Sequence, residues 1–274
     1  MAFDVSHPEI QDAVRRALAE DIGPGDITTG LCVPVNATAT GRMIARESLT
    51  LAGVELLPLI FTDCIVALTR HSGDHVENGG EIAVVQGSAQ ALLTGERTAL
   101  NFVQRLSGIA TLAAAYVRAV KGTRCRILDT RKTTPGLRRL EKMATAAVGA
   151  VNHRMGLFDA VLIKNNHITA AGGVRAALER TRNAGVLVEI EVRTREELEE
   201  ALACGATRLL LDNLSPDQAR EWIAHIDRRA TVELSGGIAL DTARAYAETG
   251  ADFISIGAIT HSVRAVDINF RLEL

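Results

Sequence analysis

The chain has 274 residues, 47% apolar and 23% charged, enough to bury one large core or two smaller ones and too apolar for disorder. Aromatic residues make up only 3%, so the core must be aliphatic, which suits many short strands and helices and favours an α/β fold. A net charge of -3 excludes a global attraction for nucleic acid or an anionic membrane, so any anion site must be a local concentration of basic groups.

Cys32, Cys64, Cys125 and Cys204 are far apart and form no CxxC pair, which argues against a disulfide framework or a zinc cluster and for free thiols in a reducing compartment. Asp4, Glu9, Asp12 and Arg15 stand where a signal peptide would need an apolar stretch, and no later run approaches the roughly 20 apolar residues of a membrane span. A cytoplasmic location, with neither nucleic acid nor membrane as partner, is the expectation.

In chain order, Ile10, Val14 and Leu18 recur at helical spacing before the turn GPGD at 23–26. Segments 40–47, 64–69 and 82–86 are short and β-prone, separated by turn clusters such as HSGDHVENGGE at 71–81, and predict a small sheet with helices. From Glu96 to Val120 there is no proline, only Gly108 as a breaker, and apolar residues recur every three to four positions. This predicts one long helix with Arg97 near its start.

Beyond it, short apolar runs recur at 126–128, 160–163, 187–192, 208–211, 231–234 and 253–256, with amphipathic segments between most of them. That is the period of repeated β-α units, in a barrel or a doubly wound sheet. Thr194 with Glu197 has capping-box spacing, and Ser215 before Pro216 reads as an N-cap followed by proline at the first helical position.

In such folds the functional groups follow the strands. Here DTRKTTPG at 129–136 follows the first run and Lys164 the second. Glu189 and Glu191 lie in the third, Asp212 and Asn213 end the fourth, and the last two end in SGG at 235–237 and SIGA at 255–258. With NHR at 152–154, the strand ends would gather Arg131, Lys132, His153, Arg154 and Lys164 against Glu191 and Asp212. Each alone has a plain reading: a solvated loop charge for a Lys or Arg, a structural histidine, a helix cap for Asp212, a tight turn for the glycines. Together they suit a polyanion and a divalent metal. Arginine grips carboxylate or phosphate bidentately, lysine neutralises as a compact charge, and separated carboxylates can hold Mg²⁺ through water.

ERTALNFVQRLSGIAT at 96–111, DTRKTTPGLR at 129–138, NHRMGL at 152–157 and LIKNNH at 162–167 resemble the quinolinate phosphoribosyltransferase family. EIEV at 189–192, LLLDN at 209–213, ELSGGI at 233–238 and ISIGAITHS at 255–262 continue the similarity in the same order, and EDIGPGDITT at 20–29 extends it more loosely. The resemblance implies the type II phosphoribosyltransferase architecture. An N-terminal α/β sandwich over 1–104, to which a tail at 263–274 returns, would be followed by an open seven-stranded β/α barrel over 105–262.

It also implies transfer of phosphoribosyl from phosphoribosyl pyrophosphate to quinolinate with decarboxylation, giving nicotinate mononucleotide, carbon dioxide and pyrophosphate in NAD biosynthesis. Carried over position by position, Arg131, Arg154 and Lys164 would bind the quinolinate carboxylates with His153 nearby. Lys132, Glu191 and Asp212 would serve catalysis on phosphoribosyl pyrophosphate, Glu191 and Asp212 as Mg²⁺ ligands. Ser235, Gly236 and Gly257 would line the 5′-phosphate site, and Arg97 would enter the neighbouring subunit's site, making a homodimer the minimal unit.

One segment departs from the family pattern: in KMATAAVGAVNHR at 142–154, Met143, Val148 and Ala150 stand where the family carries a tyrosine and two glycines. If the backbone there needed a positive φ, the β-branched Val148 would reshape the pocket. Three rival readings stay open at this point. One is a Schiff-base lyase using Lys164, another a phosphosugar-binding paralogue without turnover, and the third a pyrophosphorylase for another heteroaromatic acid.

Overall fold

The computed structural model describes residues 3–273. Helix α1 (Pro8–Ile22) begins with proline at its first position, and the His7 Nδ1 caps it by accepting the Glu9 N–H at 3.2 Å, while Ile10, Ala13 and Val14 form its buried stripe. The GPGD turn ends in Asp26, whose carboxylate accepts the Thr29 N–H and starts α2 (Ile27–Cys32). Next come β1 (Thr38–Ala45), β2 (Leu49–Thr50), a 3-10 turn leading into α3 (Leu57–Ile60), β3 (Ile65–Leu68), β4 (His75–Val76) and β5 (Glu81–Ser88). The three β-prone segments are β1, β3 and β5; β2 and β4 form a further antiparallel pair.

Helix α4 (Ala89–Ala119) starts directly after β5, well before Glu96, so Arg97 lies about two turns inside it rather than near its start. The helix runs through Gly95 because close packing requires the glycine there. A Cβ would sit 2.6 Å from the Phe61 ring, and that approach offsets a helix propensity about 1 kcal/mol poorer than alanine's.

After α4 the elements are β6 (Arg126–Leu128), α5 (Arg138–Ala146), β7 (Val161–Ile163), α6 (Asn165–Ala171), α7 (Val174–Thr181) and β8 (Val188–Val192). Then follow α8 (Arg195–Ala203), β9 (Arg208–Asp212), α9 (Pro216–Ile226), β10 (Thr231–Ser235), α10 (Ala243–Ala247), β11 (Phe253–Ser255), α11 (Ala258–His261) and β12 (Ile268–Glu273). None of the helices among the described residues is long and apolar enough to cross a membrane.

Two compact units result. The first comprises the chain up to Ala114, the segment Thr133–Gly149 and the stretch from Ala258 onward. Its sheet has the order β12-β1-β5-β3 and is antiparallel, with the last strand returning to pair with the first. Phe270 of β12 lies across Gly41 of β1, where any Cβ would stand 2.0 Å from the ring, and stacks on Phe61 at 5.9 Å. The core joins Ile10, Met43, Leu51, Ile82, Leu92 and Ile109 with Leu140 and Met143 of α5.

Met143 is a core residue and Val148 packs against the core; Gly149, with φ +90°, takes the left-handed turn, and Val148 has no positive φ. The strain that a valine would suffer is therefore avoided by one register position.

The second unit, Ala115–Lys132 and Ala150–Gly257, holds a parallel sheet in the order β6-β11-β10-β9-β8-β7. Each of the six apolar runs forms one strand, and Ile127, Ile190, Val192, Leu209, Leu211, Leu234 and Ile254 are buried, as a sheet covered by crossover helices requires. The seventh strand implied by the family resemblance is reduced to a single parallel bridge between Val151 and Leu128. Ser215 and Gln218 form the reciprocal cap of α9. Thr194 caps α8 through the Glu197 N–H, but the Glu197 carboxylate turns to the Arg193 N–H at 2.8 Å instead of closing the box.

Candidate active site

The site lies at the C-terminal ends of the strands of the second unit. Asp129, fully buried at the end of β6, accepts the His153 N–H at 2.9 Å and the Asn152 amide at 2.6 Å, which ties the NHR segment to that strand. Beyond it, Asp159 accepts the Met155 and Gly156 N–H groups at 2.6 and 2.9 Å, and the Arg154 guanidinium donates to the Ala160 carbonyl at 3.0 Å. Burial lowers the pKa of Arg154, and the charge of nearby Arg131 lowers it further. Crowded guanidinium groups of this kind are a mark of an anion site.

Lys164 is the N-cap of α6 and exposed; its N–H donates to His167 Nδ1 at 2.9 Å. Glu191, on β8, accepts both Arg193 bonds at Oε1, at 3.2 and 2.9 Å. Asp212 ends β9, where its Oδ1 accepts the Ser235 hydroxyl at 2.5 Å and its Oδ2 the Asn213 amide at 2.6 Å.

A cleft of about 410 Å³ gathers most of the expected residues. Its walls carry the cations Arg131, Lys132, Arg154 and Lys164, the His153 ring, the carboxyl groups of Glu191, Asp212 and Glu233, and the Ser235 hydroxyl. Three expected residues are outside that lining. Gly236 is next to Ser235, with φ +95°, and is glycine because a Cβ would stand 2.2 Å from Asn213 Oδ1. Gly257 follows β11. Arg97 belongs to the first unit, where it is exposed on α4.

A charge cluster reaches from His153 and Glu233 of the cleft lining down into the sheet, and its Glu189, Glu233 and Arg208 were not among the expected site residues. Glu189 and Glu233 are almost fully buried; Arg208 donates to Glu189 at 2.9 Å and to Glu233 at 3.2 Å, and His153 Nε2 stands 3.2 Å from Glu189 and 3.6 Å from Glu233. Burial favours the protonated form of both acids. For Glu189 the bonds from His153 and Arg208 outweigh burial and its pKa falls; for Glu233, burial and the Glu189 charge push it up to about 7. The available signal was period two: Glu189 and Glu191 must share a face, so both point inward from β8 at successive depths.

The family profiles described as the N-terminal and C-terminal domains of quinolinate phosphoribosyl transferase match residues 26–107 and 109–271. The chain belongs to the quinolinate phosphoribosyl transferase family. The family's C-terminal domain match spans every residue of the cleft, and its N-terminal match includes Arg97.

The nicotinate-nucleotide pyrophosphorylase (carboxylating) of Mycobacterium leprae (strain TN) is 42% identical, over 99% of this chain and 100% of that protein. The probable enzyme of the same name from Bacillus subtilis (strain 168) is 38% identical, over 98% and 96%. The solved nicotinate-nucleotide pyrophosphorylase from Francisella tularensis is 36% identical with a TM-score of 0.92, covering 97% of this chain and 96% of that one. Family membership therefore rests on both the sequence and the fold.

Proposed function

We propose that the chain transfers phosphoribosyl from phosphoribosyl pyrophosphate to quinolinate with decarboxylation, yielding nicotinate mononucleotide, carbon dioxide and pyrophosphate for NAD biosynthesis. The observation that carries this reading is the convergence of four cations with Glu191 and Asp212 in one cleft at the ends of parallel strands, in a member of this family. A planar dicarboxylate suits Arg131 and Arg154, whose forks can each take two oxygens, with Lys164 as a third positive charge.

The pyridine nitrogen of quinolinate attacks the anomeric carbon as the bond to pyrophosphate breaks, and Lys132 neutralises charge on the departing group. The alkylated nitrogen is then cationic, so loss of the 2-carboxylate as carbon dioxide leaves a carbanion stabilised by the adjacent charge, which a proton from water quenches. Most of the rate enhancement comes from positioning and electrostatics. Glu191 and Asp212 would hold Mg²⁺. They are hard oxygen donors at the ends of adjacent strands, and because Arg193 engages only Glu191 Oε1, they suit a cation that keeps waters in its shell. When bound, the ion supplies positive charge to the pyrophosphate oxygens. Ser235 and the glycines Gly236 and Gly257 are assigned to the 5′-phosphate, where small residues let backbone N–H groups approach.

The working unit is a homodimer in which Arg97 of the partner subunit completes the cleft, a reading supported by the exposure of Arg97 on α4. A cytoplasmic location is supported by four free cysteines, of which Cys125 is buried with its pKa pushed up to about 12 by burial and the Asp252 charge. The deciding experiment incubates purified protein with phosphoribosyl pyrophosphate, Mg²⁺ and either quinolinate or nicotinate. Nicotinate mononucleotide and carbon dioxide are expected with quinolinate alone, and turnover of nicotinate instead would overturn the assignment.

A further inference from the structure

The cluster beneath the cleft dictates the state of His153. Its Nδ1 accepts the backbone N–H of Arg154 at 2.7 Å, so that nitrogen carries a lone pair and the ring proton is on Nε2. Nε2 in turn faces the Glu189 carboxylate at 3.2 Å, and Arg208 holds the other oxygen of Glu189 at 2.9 Å. Outward from the sheet the order is therefore Arg208, Glu189, His153, Arg154 backbone.

The same atoms look like a metal site, since ligand atoms of His153, Glu189 and Glu233 all lie within 4.8 Å of one another. The hydrogen bonds argue otherwise. A metal on Nε2 would move the ring proton to Nδ1, against the Arg154 N–H, and the Arg208 guanidinium already bridges both carboxylates.

We propose that Arg208 and Glu189 form a buried brace that holds His153 as the Nε2–H tautomer and, through Nδ1, fixes the backbone of Arg154. This makes Glu189 a positioning residue for the pyridine dicarboxylate. The inference rests on the proposed function for the identity of that ligand, whereas the tautomer itself does not. It also separates the paired acids of β8: Glu191 faces the cleft, and Glu189 acts one layer below through a histidine.

The test is nitrogen NMR on protein labelled with ¹⁵N-histidine, the His153 signals being assigned with His153→Gln. The expected wild-type spectrum has a protonated Nε2 and a bare Nδ1 for His153. In Glu189→Ala the two tautomers should mix, and KM for quinolinate should rise about tenfold with KM for phosphoribosyl pyrophosphate almost unchanged. Glu189→Gln, whose amide oxygen can accept from Nε2, should restore the tautomer and most of the KM.

A proton on Nδ1 in the wild type overturns the brace whatever the variants do, and so does an unchanged His153 spectrum in Glu189→Ala. If Glu189→Ala fails to fold, the wild-type spectrum and Glu189→Gln still decide. A wild type with the expected tautomer but no turnover of quinolinate would sink the functional reading and leave the brace intact.

Discussion

Arg193 holds Glu191 through one oxygen, and Ser235 and Asn213 hold one oxygen each of Asp212, so both carboxylates are oriented before any ligand arrives. Glu191→Gln and Asp212→Asn keep shape but lose charge. Each should raise the half-saturating Mg²⁺ concentration by about tenfold or more, and wild-type activity in both at limiting Mg²⁺ would remove the metal assignment. Arg154→Lys turns a fork into a point charge, and the lost bidentate grip should raise KM for quinolinate more than KM for phosphoribosyl pyrophosphate; equal effects on the two would reduce Arg154 to a structural role. Glu233 makes a prediction about stability. Its folded-state pKa of about 7 lies above the ordinary 4.5, so the folded protein keeps a proton there that the unfolded chain loses as pH rises between those values. Stability from this group falls through that window, and above it the buried carboxylate is a standing cost. Relative to wild type, Glu233→Gln should gain about 1–3 kcal/mol on going from about pH 5 to about pH 8, read by thermal denaturation. A difference that does not change with pH would place the proton elsewhere.

At the scale of elements, the strand ends carry the chemistry and the turns after them keep it in place. After β10 the chain turns at Gly236, φ +95°, pressed against the Asn213 side chain, and Asn213 is itself in the left-handed region at φ +57° while it orients Asp212. Gly236→Ala would combine a strained backbone with a Cβ 2.2 Å from Asn213 Oδ1. The expected result is a loss of about 1–3 kcal/mol in stability together with weaker Mg²⁺-dependent turnover, since Asn213 must give way and Asp212 with it. Full stability and activity would mean that the turn relaxes freely. Periodicity made the parallel strands visible in advance: all six coincide with the six apolar runs, because a strand covered on both faces is predominantly apolar, with Glu189 and Glu191 in β8 and Glu233 in β10 as charged exceptions. The start of α4 was not visible: Gly95 has poor helix propensity, and only the folded structure shows Phe61 packed against it.

At the scale of the whole molecule, the cleft of one chain supplies Lys132 and the proposed homodimer supplies Arg97 from its partner. Arg97→Ala and Lys132→Ala should each be nearly inactive alone, yet activity should return when the two are mixed and allowed to exchange subunits, because some dimers then contain one site with neither change. Heterodimers that form and remain inactive would put Arg97 outside the shared site.

The linear order of residues by itself determined the α/β class, the β-α period and the cations and carboxylates of the cleft. Those features follow from periodicity and from charges placed directly after apolar runs, which are local properties of the chain. The partners of those charges were decided only by the tertiary structure. Asp129 and the NHR segment meet because Val151 bridges the edge strand, and Val148 escapes strain because Gly149 takes the turn and α5 packs into the first unit's core. Glu189, Arg208 and Glu233 become a single network because β8, β9 and β10 are adjacent in the sheet and Arg208, on the middle strand, reaches a glutamate on each neighbour. Which buried charge neutralises which depends on distances of a few ångströms between residues far apart in the chain, and only the folded sheet sets those distances.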